Sequence, residues 1–144
     1  MKKAFIAVLM PLALAGCGGS DSDVPEAAPE PTAGTVTITG PADGSEVTGR
    51  TVVVQLSSTV PIVPAGEMTA GTGHHHLYFD ADLTPSNVPV PTVPGSIVHM
   101  GDASSEFAFE DIEPGEHRLI AVVADGVHIP LQPWVVDTVT FTVR

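Results

Sequence analysis

The sequence has a single cysteine and only five basic residues among its 144 residues. One cysteine excludes an intramolecular disulfide and a thiolate metal site of the C-x-x-C kind. The five basic residues stand against 17 acidic ones, which gives a formal net charge of -12 at pH 7. Such a surface repels phosphate groups, so we expect no nucleic-acid partner. An acidic surface of this kind is more often explained by solubility than by a cationic partner.

No apolar run is long enough to cross a bilayer, because the longest, over residues 4–14, has 11 residues. Two lysines precede it and small residues follow, which is the layout of a secretory signal peptide. The junction Leu14-Ala15-Gly16-Cys17 resembles the lipobox of bacterial lipoproteins, in which the cysteine becomes the lipidated first residue. We therefore predict a lipoprotein signal peptide at residues 1–16 and lipidation of Cys17, so that acyl chains hold the protein to a membrane.

The residues after Cys17 predict the location of the protein and a tether. Gly18 stands where some lipoproteins of double-membraned bacteria have aspartate, which implies sorting to the outer membrane of the cell envelope, facing the periplasm. Residues 18–34 contain three prolines and four carboxylates but one branched apolar residue and no aromatic residue. Such a segment cannot bury enough surface to fold. We therefore predict that residues 17–34 form the lipidated end and a flexible linker.

Residues 35–144 contain β-rich runs separated by turn signals, with no apolar pattern at helical spacing. The candidate strands are residues 35–39, 51–58, 75–83, 96–100, 106–111, 117–125 and 135–143. This spacing predicts an all-β domain, a single immunoglobulin-like antiparallel β-sandwich of about seven strands. Two long proline-rich loops, residues 60–73 and 84–95, bracket the histidine-rich strand, and loops on a rigid sandwich are common places for binding residues.

Three consecutive histidines begin one of these strands, in the stretch GTGHHHLYFD. Side chains alternate along a strand, so His74 and His76 share one face while His75, Leu77 and Phe79 share the other. Leu77 and Phe79 mark the core face, which predicts that His75 lies at the core edge and bonds to a backbone group. We expect His74 and His76 to point outward, close enough together to bind one metal ion.

A third ligand would have to come from the remaining histidines. His128 lies just past an Asp-Gly turn and could fold back over the histidine strand. His99 lies near the end of a short strand, where the sequence is equally consistent with an exposed side chain and with a metal ligand. His117 occupies the place of the tyrosine in a tyrosine corner, which favours a structural role. The metal hypothesis therefore names His74, His76, His99 and His128, with His75 and His117 as additional ligands or structural residues.

The donor types limit the metal. Histidine sets suit zinc or copper(II), and neutral imidazole is the commonest metal ligand. Met68 and Met100 flank the region and would favour copper(I) if their thioethers pointed inward, although methionine is more often core filler. No H-E-x-x-H or C-x-x-C motif fixes the ligand spacing. The G-x-S-x-G motif that carries the nucleophilic serine of many hydrolases is not present either.

The order of motifs GTGHHHLYFD, IVHMGDASSEF, PGEHRLIAVVADGVHIPLQP and VTFTV resembles domain-of-unknown-function family 4399, a family of uncharacterised bacterial envelope domains. The resemblance covers residues 36–143, and all six histidines fall on histidine positions of that family. The chain departs from the pattern at Leu131, where members often have a further histidine, and at Asp102-Ala103-Ser104, where members have a glycine-rich segment. The resemblance implies the extent of the domain and a location in the cell envelope. It implies no activity, because none is assigned to the family.

We therefore expect a lipid-anchored envelope protein whose histidine-rich sandwich is a non-enzymatic binding module for an unknown ligand or another envelope protein. The alternative is a periplasmic copper- or zinc-handling lipoprotein that uses the histidine cluster. An H-x-H strand on a β-sandwich also occurs in copper-zinc superoxide dismutase, but the disulfide and zinc loop of that enzyme have no counterpart here. We therefore do not expect an enzyme.

Overall fold

A computed structural model of the chain describes residues 34–144. The predicted signal peptide, Cys17 and all but the last residue of the predicted linker lie outside these residues. The described part contains eight strands, namely β1 Val36–Gly40, β2 Glu46–Val47, β3 Val52–Ser58, β4 His74–Phe79, β5 Ile97–Met100, β6 Glu106–Phe109, β7 Gly115–Ala124 and β8 Val136–Val143. Among these residues there is no helix long and apolar enough to span a membrane.

The strands form two sheets, one with the order β1-β3-β6 and one with the order β2-β8-β7-β4-β5. The expected all-β sandwich is confirmed. One pairing departs from the expected antiparallel arrangement, because β2 runs parallel to β8. The sequence reading missed β2, since two residues directly after a turn carry no alternation that could be recognised.

The main core lies between the two sheets and is built from alternate residues of each strand. In β3 the residues Val52, Val54 and Leu56 are buried while the residues between them are exposed. Leu77 and Phe79 of β4 belong to this core, as the alternation predicts. Burying each such side chain stabilises the fold by roughly 1.5–3 kcal/mol. All buried members of this core lie between residues 36 and 143, so the described segment contains its own core.

A second apolar cluster covers the other face of the five-stranded sheet. Its buried members are Tyr78, Val90, Ile97, Ile120, Val122 and Ala124, with Trp134 and Val136 packed against them. Val90 belongs to the proline-rich loop at residues 84–95, and its N–H donates to the His128 carbonyl over 2.9 Å. The Tyr78 hydroxyl lies 2.8 Å from the Thr84 hydroxyl. Loops therefore close a face that an ordinary sandwich would leave to solvent.

This second cluster corrects the expectation that His74 and His76 point outward. Both face away from the main core, yet each is 0% exposed. All six residues of β4 are buried, and so are residues 119–124 of β7 beside it. Alternation along a strand shows on which face of the sheet a side chain lies. It does not show whether that face is exposed, because the loops that cover it lie far away in the sequence.

Strand β4 also ends earlier than residue 83, the end expected from the sequence. Asp80 has a φ of 50°, in the left-handed region that ends an extended strand. Its carboxylate accepts a hydrogen bond from the Arg118 backbone N–H over 2.8 Å, and its own N–H donates to the Arg118 carbonyl. The chain therefore turns away from the sheet at Asp80.

Candidate metal centre

Strands β4 and β5 supply three imidazoles to one face of the sheet. His74 and His76 share that face by alternation, and the register places His76 directly opposite His99. Residues directly opposite each other in an antiparallel pair point to the same side of the sheet. The two strands therefore present His74, His76 and His99 together, on the side away from the main core.

The fourth imidazole comes from the tight turn that follows β7. The Asp125 side chain accepts hydrogen bonds from the backbone N–H groups of Val127 and Ile129 over 3.0 and 2.9 Å. The His128 N–H donates to the Asp125 carbonyl over 2.9 Å, and His128 itself has a φ of 70°. This left-handed residue turns the imidazole of His128 back over β4.

The loop at residues 60–73 holds this turn in place. Gly126 is buried, and its carbonyl accepts a hydrogen bond from the Gly66 N–H over 3.0 Å. A side chain at Gly126 would collide with the backbone of Glu67. The position of His128 therefore depends on a close approach between two backbones that only glycine permits.

The four imidazoles converge on one point. Ring nitrogens of all four lie within 4.8 Å of one another. The Nε2 atoms of His74 and His76 are 3.0 Å apart, and the ring centroids of His99 and His128 are 4.6 Å apart. Zinc–nitrogen bonds of 2.0–2.1 Å in a tetrahedron separate the ligand nitrogens by about 3.3 Å. The His74–His76 separation is close to this value and no separation between the four ligand nitrogens exceeds 4.8 Å, so the four rings could hold a metal ion.

Several ring nitrogens of this cluster are buried without a hydrogen-bond partner among the described residues: His74 Nδ1, His76 Nδ1 and His99 Nε2. A neutral imidazole carries one donor and one acceptor, and leaving a buried polar group unpaired costs about 1–3 kcal/mol. His74 and His76 thus pair with each other through Nε2 and leave Nδ1 without a partner, and His99 leaves Nε2 without one. Such an arrangement fits a ligand that engages imidazole nitrogen.

Burial and crowding favour the neutral form of His74, His76 and His99. Burial, together with repulsion from the neighbouring histidines, lowers the pKa of His74 to about 4 and that of His76 to about 3. Burial and His128 also lower the pKa of His99. Neutral imidazole is the form that binds a metal, so His74, His76 and His99 need release no proton to bind one at pH 7.

Two carboxylates lie near enough to influence the cluster. Asp125 acts on His74 and Asp102 acts on His99, each favouring positive charge on its ring. Four neutral imidazoles leave the charge of a divalent ion uncompensated, and these two carboxylates reduce that excess. The sequence reading did not single out either aspartate. The Asp-Gly turn before His128 was the available signal for Asp125.

Residues 52–144 match the family described as Domain of unknown function (DUF4399). The chain belongs to this family. All six histidines and strands β3 to β8 lie inside the matched DUF4399 region, whereas β1 and β2 precede it. A comparison with curated proteins gives no match.

Two solved structures are similar to about four fifths of the chain. The endo-beta-1,4-mannanase from Thermotoga petrophila is 14% identical, with a TM-score of 0.47, over 81% of this chain and 21% of that one. An engineered protein from the Northeast Structural Genomics Consortium is 12% identical, with a TM-score of 0.43, over 80% of this chain and 21% of that one. The DUF4399 chain thus spans about a fifth of the length of each.

The middle histidine of the triplet lies outside the cluster of the DUF4399 domain. His75 points into the main core side of β4 and is 1% exposed. Its Nδ1–H donates to the Ser104 carbonyl over 3.1 Å, which is the kind of backbone partner expected for it. This bond ties β4 to the loop between β5 and β6. Ser104 in turn donates its N–H to the Asp102 carboxylate, so His75 supports the position of Asp102.

His117 also lies outside the cluster, at the opposite end of the sheet. Its Nδ1–H donates to the Asp80 carboxylate over 2.7 Å and its Nε2–H to the Glu113 carbonyl over 2.8 Å. Burial opposes protonation, but these two bonds prevail and raise the pKa of His117. Both partners only accept hydrogen bonds, so the geometry suits the doubly protonated ring. In the DUF4399 domain, His117 thus joins the start of β7 to the Glu113 backbone that precedes it and to Asp80 after β4.

Neither methionine joins the cluster. Met100 is buried in the main core, and Met68 is 64% exposed, with its sulfur beside Gly126. The candidate centre therefore offers imidazole nitrogen alone.

Gly101 is a further residue that the sequence reading missed. A Cβ atom at this position would lie 2.5 Å from Cε1 and 2.7 Å from Nε2 of the His99 ring. Glycine at position 101 therefore leaves the space in which His99 takes its place in the cluster. The signal available in the sequence was a glycine two residues after a histidine, in IVHMG.

Proposed function

We propose that this domain binds one zinc(II) or copper(II) ion through His74, His76, His99 and His128, as part of a lipid-anchored protein of the bacterial envelope. The observation that carries the proposal is the convergence of four imidazoles from two strands and one turn, with one ring nitrogen of each within 4.8 Å of the others. Outside the cluster, His117 has protein partners at both ring nitrogens, whereas His75 has one at Nδ1 and none at Nε2 among the described residues.

The donor set selects among metals. Calcium and magnesium prefer oxygen ligands, which the four rings do not provide. Copper(I) favours thioether or thiolate, and both nearby methionines lie outside the cluster. Imidazole suits zinc(II) and copper(II). The neutral state of the rings and the two nearby carboxylates favour a divalent cation.

The number of ligands favours binding over catalysis. A catalytic zinc keeps three protein ligands and an open position for water or substrate, whereas four protein ligands complete a tetrahedron. We therefore propose a non-enzymatic role in holding or handling the metal. His74 and His76 are fully buried on a central strand, while His99 and His128 are only partly buried. The last two are the ligands that a receiving molecule could reach first.

The location is proposed from the sequence. The lipobox-like junction before Cys17 and the composition of the residues after it support a lipid anchor and a tether. Such a tether would let the domain reach partners near the outer membrane while it remains attached. A metal-handling role benefits from this reach, because a tethered donor meets its acceptor at a raised effective concentration.

The experiment is a calorimetric titration of zinc(II) and of copper(II) into residues 34–144 at pH 7.5, without a polyhistidine tag. We expect one ion per chain with a dissociation constant below about 1 µM. The variant His76→Gln should lose this binding. The matched control His117→Gln removes one imidazole outside the cluster and should retain it.

If neither metal binds to folded protein, the proposal is overturned, and a binding module for a non-metal ligand takes its place. Equal loss of binding in the two variants would also contradict it. Circular dichroism of each variant shows that a loss of binding does not come from unfolding.

A further inference from the structure

A cavity of about 320 Å³ opens beside the proposed metal centre. Its lining residues come from the end of β5, the following loop and the start of β6: His99, Met100, Gly101, Asp102, Ser104, Glu106 and Phe107. His99 is the only residue that belongs both to this lining and to the four-imidazole cluster of the described residues. The cavity therefore reaches the centre at one ligand, and that ligand is partly exposed.

The rim of the cavity is acidic. Asp102 and Glu106 are both exposed and both line it. The three arginines of the described residues pair with acidic residues elsewhere, at Glu113, Asp82 and Glu46. No lysine or arginine lines this cavity to neutralise the two carboxylates. The field at the rim attracts cations and repels anions.

We propose that this cavity is the route by which the metal ion enters and leaves the centre, with Asp102 and Glu106 steering the cation and His99 receiving it. The inference rests on the proposed metal site and adds its path of exchange. The remaining ligands lie deeper, since His74 and His76 are 0% exposed. A metal that approaches from the cavity thus meets His99 before it meets either of them.

The local structure leaves space beside the His99 ring. Gly101 presents no side chain to the His99 ring, where a Cβ atom would be 2.7 Å from Nε2. That nitrogen is buried without a partner among the described residues. The loop is held by the Ser104 carbonyl, which accepts from His75, and by the Asp102 carboxylate, which accepts from the Ser104 N–H. The Asp102 carboxylate is therefore held by a hydrogen bond within the loop that lines the cavity, where it acts on His99.

The test is a stopped-flow measurement of zinc association to residues 34–144 at low ionic strength, using competition with a fluorescent chelator. The variant is Asp102→Asn with Glu106→Gln. The matched control is Asp111→Asn with Glu116→Gln, which removes the same charge from exposed carboxylates that make no hydrogen bond among the described residues. These two positions lie at the opposite ends of β6 and β7 from the centre.

We expect the rim variant to associate about threefold to tenfold more slowly than the control, because focused fields raise association rates by at least that factor. The difference should shrink in about 0.15 M salt, where the screening length is about 8 Å. If the rim and control variants bind zinc at equal rates, the proposed route is wrong, whereas the proposed metal site is not contradicted. Wild-type protein that binds no metal overturns the proposed function and this inference with it.

Discussion

Acid should destabilise the metal-free domain through two buried imidazoles. Burial lowers the pKa of His74 to about 4 and that of His76 to about 3. In the unfolded chain both titrate near the ordinary histidine value of about 6.5. Between these values the unfolded state binds more protons than the folded state. Stability is therefore retained above about pH 6.5 and lost as the pH falls toward the folded values.

The magnitude follows from the same linkage. At pH 5.0 each of these rings is protonated in the unfolded chain and neutral in the folded one, which costs about 2 kcal/mol per ring and about 4 kcal/mol for the pair. Domains of this kind are stable by only about 5–15 kcal/mol, so the loss is large. His75 and His99, whose pKa values are also lowered, add to it. His117 acts in the opposite sense, because its raised pKa gives stability that is lost as the pH rises.

The assay is urea unfolding of residues 34–144 in the presence of a chelator, at several values between pH 7.5 and 5.0. Fluorescence of Trp134 reports the transition, since it is the only tryptophan and packs against the second cluster. The double variant His74→Gln, His76→Gln should lose about 4 kcal/mol less than wild type over this interval. A wild-type loss below about 1 kcal/mol, or an equal loss in both proteins, would refute the account of buried neutral rings.

Three further outcomes are expected. Zinc at 100 times its dissociation constant should raise the unfolding free energy at pH 7.5 by about 2.7 kcal/mol, an increase that the His76→Gln variant should not show in the same urea titration. Gly101→Ala should weaken zinc binding at least about tenfold in calorimetry, because the added Cβ displaces the His99 ring. Unchanged affinity would contradict that contact. His75→Phe should cost about 1–3 kcal/mol in urea unfolding, because the Ser104 carbonyl loses its donor. It should still bind one zinc ion per chain, and loss of the ion would place His75 in the centre.

The strands were predictable because their alternation is a local signal. In β3, buried Val52, Val54 and Leu56 alternate with exposed residues, and in β4 the pair Leu77 and Phe79 marks the core face. That pattern places His74 and His76 on one side of the sheet and His75 on the other. The sorting of the triplet between two faces therefore follows from the sequence alone.

The cover over that second face was not predictable in the same way. It depends on Val90, which lies 14 residues beyond the triplet in a loop without periodicity, and on its bond to the His128 carbonyl. The convergence of His128 depends on a left-handed backbone and on the packing of Gly126 against Glu67. These are contacts between distant segments, and hydrophobic periodicity carries no information about them.

Three histidines in succession have a consequence for the pairing register of β4. Because side-chain direction alternates, a slip of one residue would turn His75 toward the cluster face and send both His74 and His76 into the main core. The slipped strand would offer one imidazole in place of two and would bury polar rings where Leu77 and Phe79 belong. A metal that needs both rings would therefore bind the correctly paired sheet and discriminate against its nearest misfolded alternative.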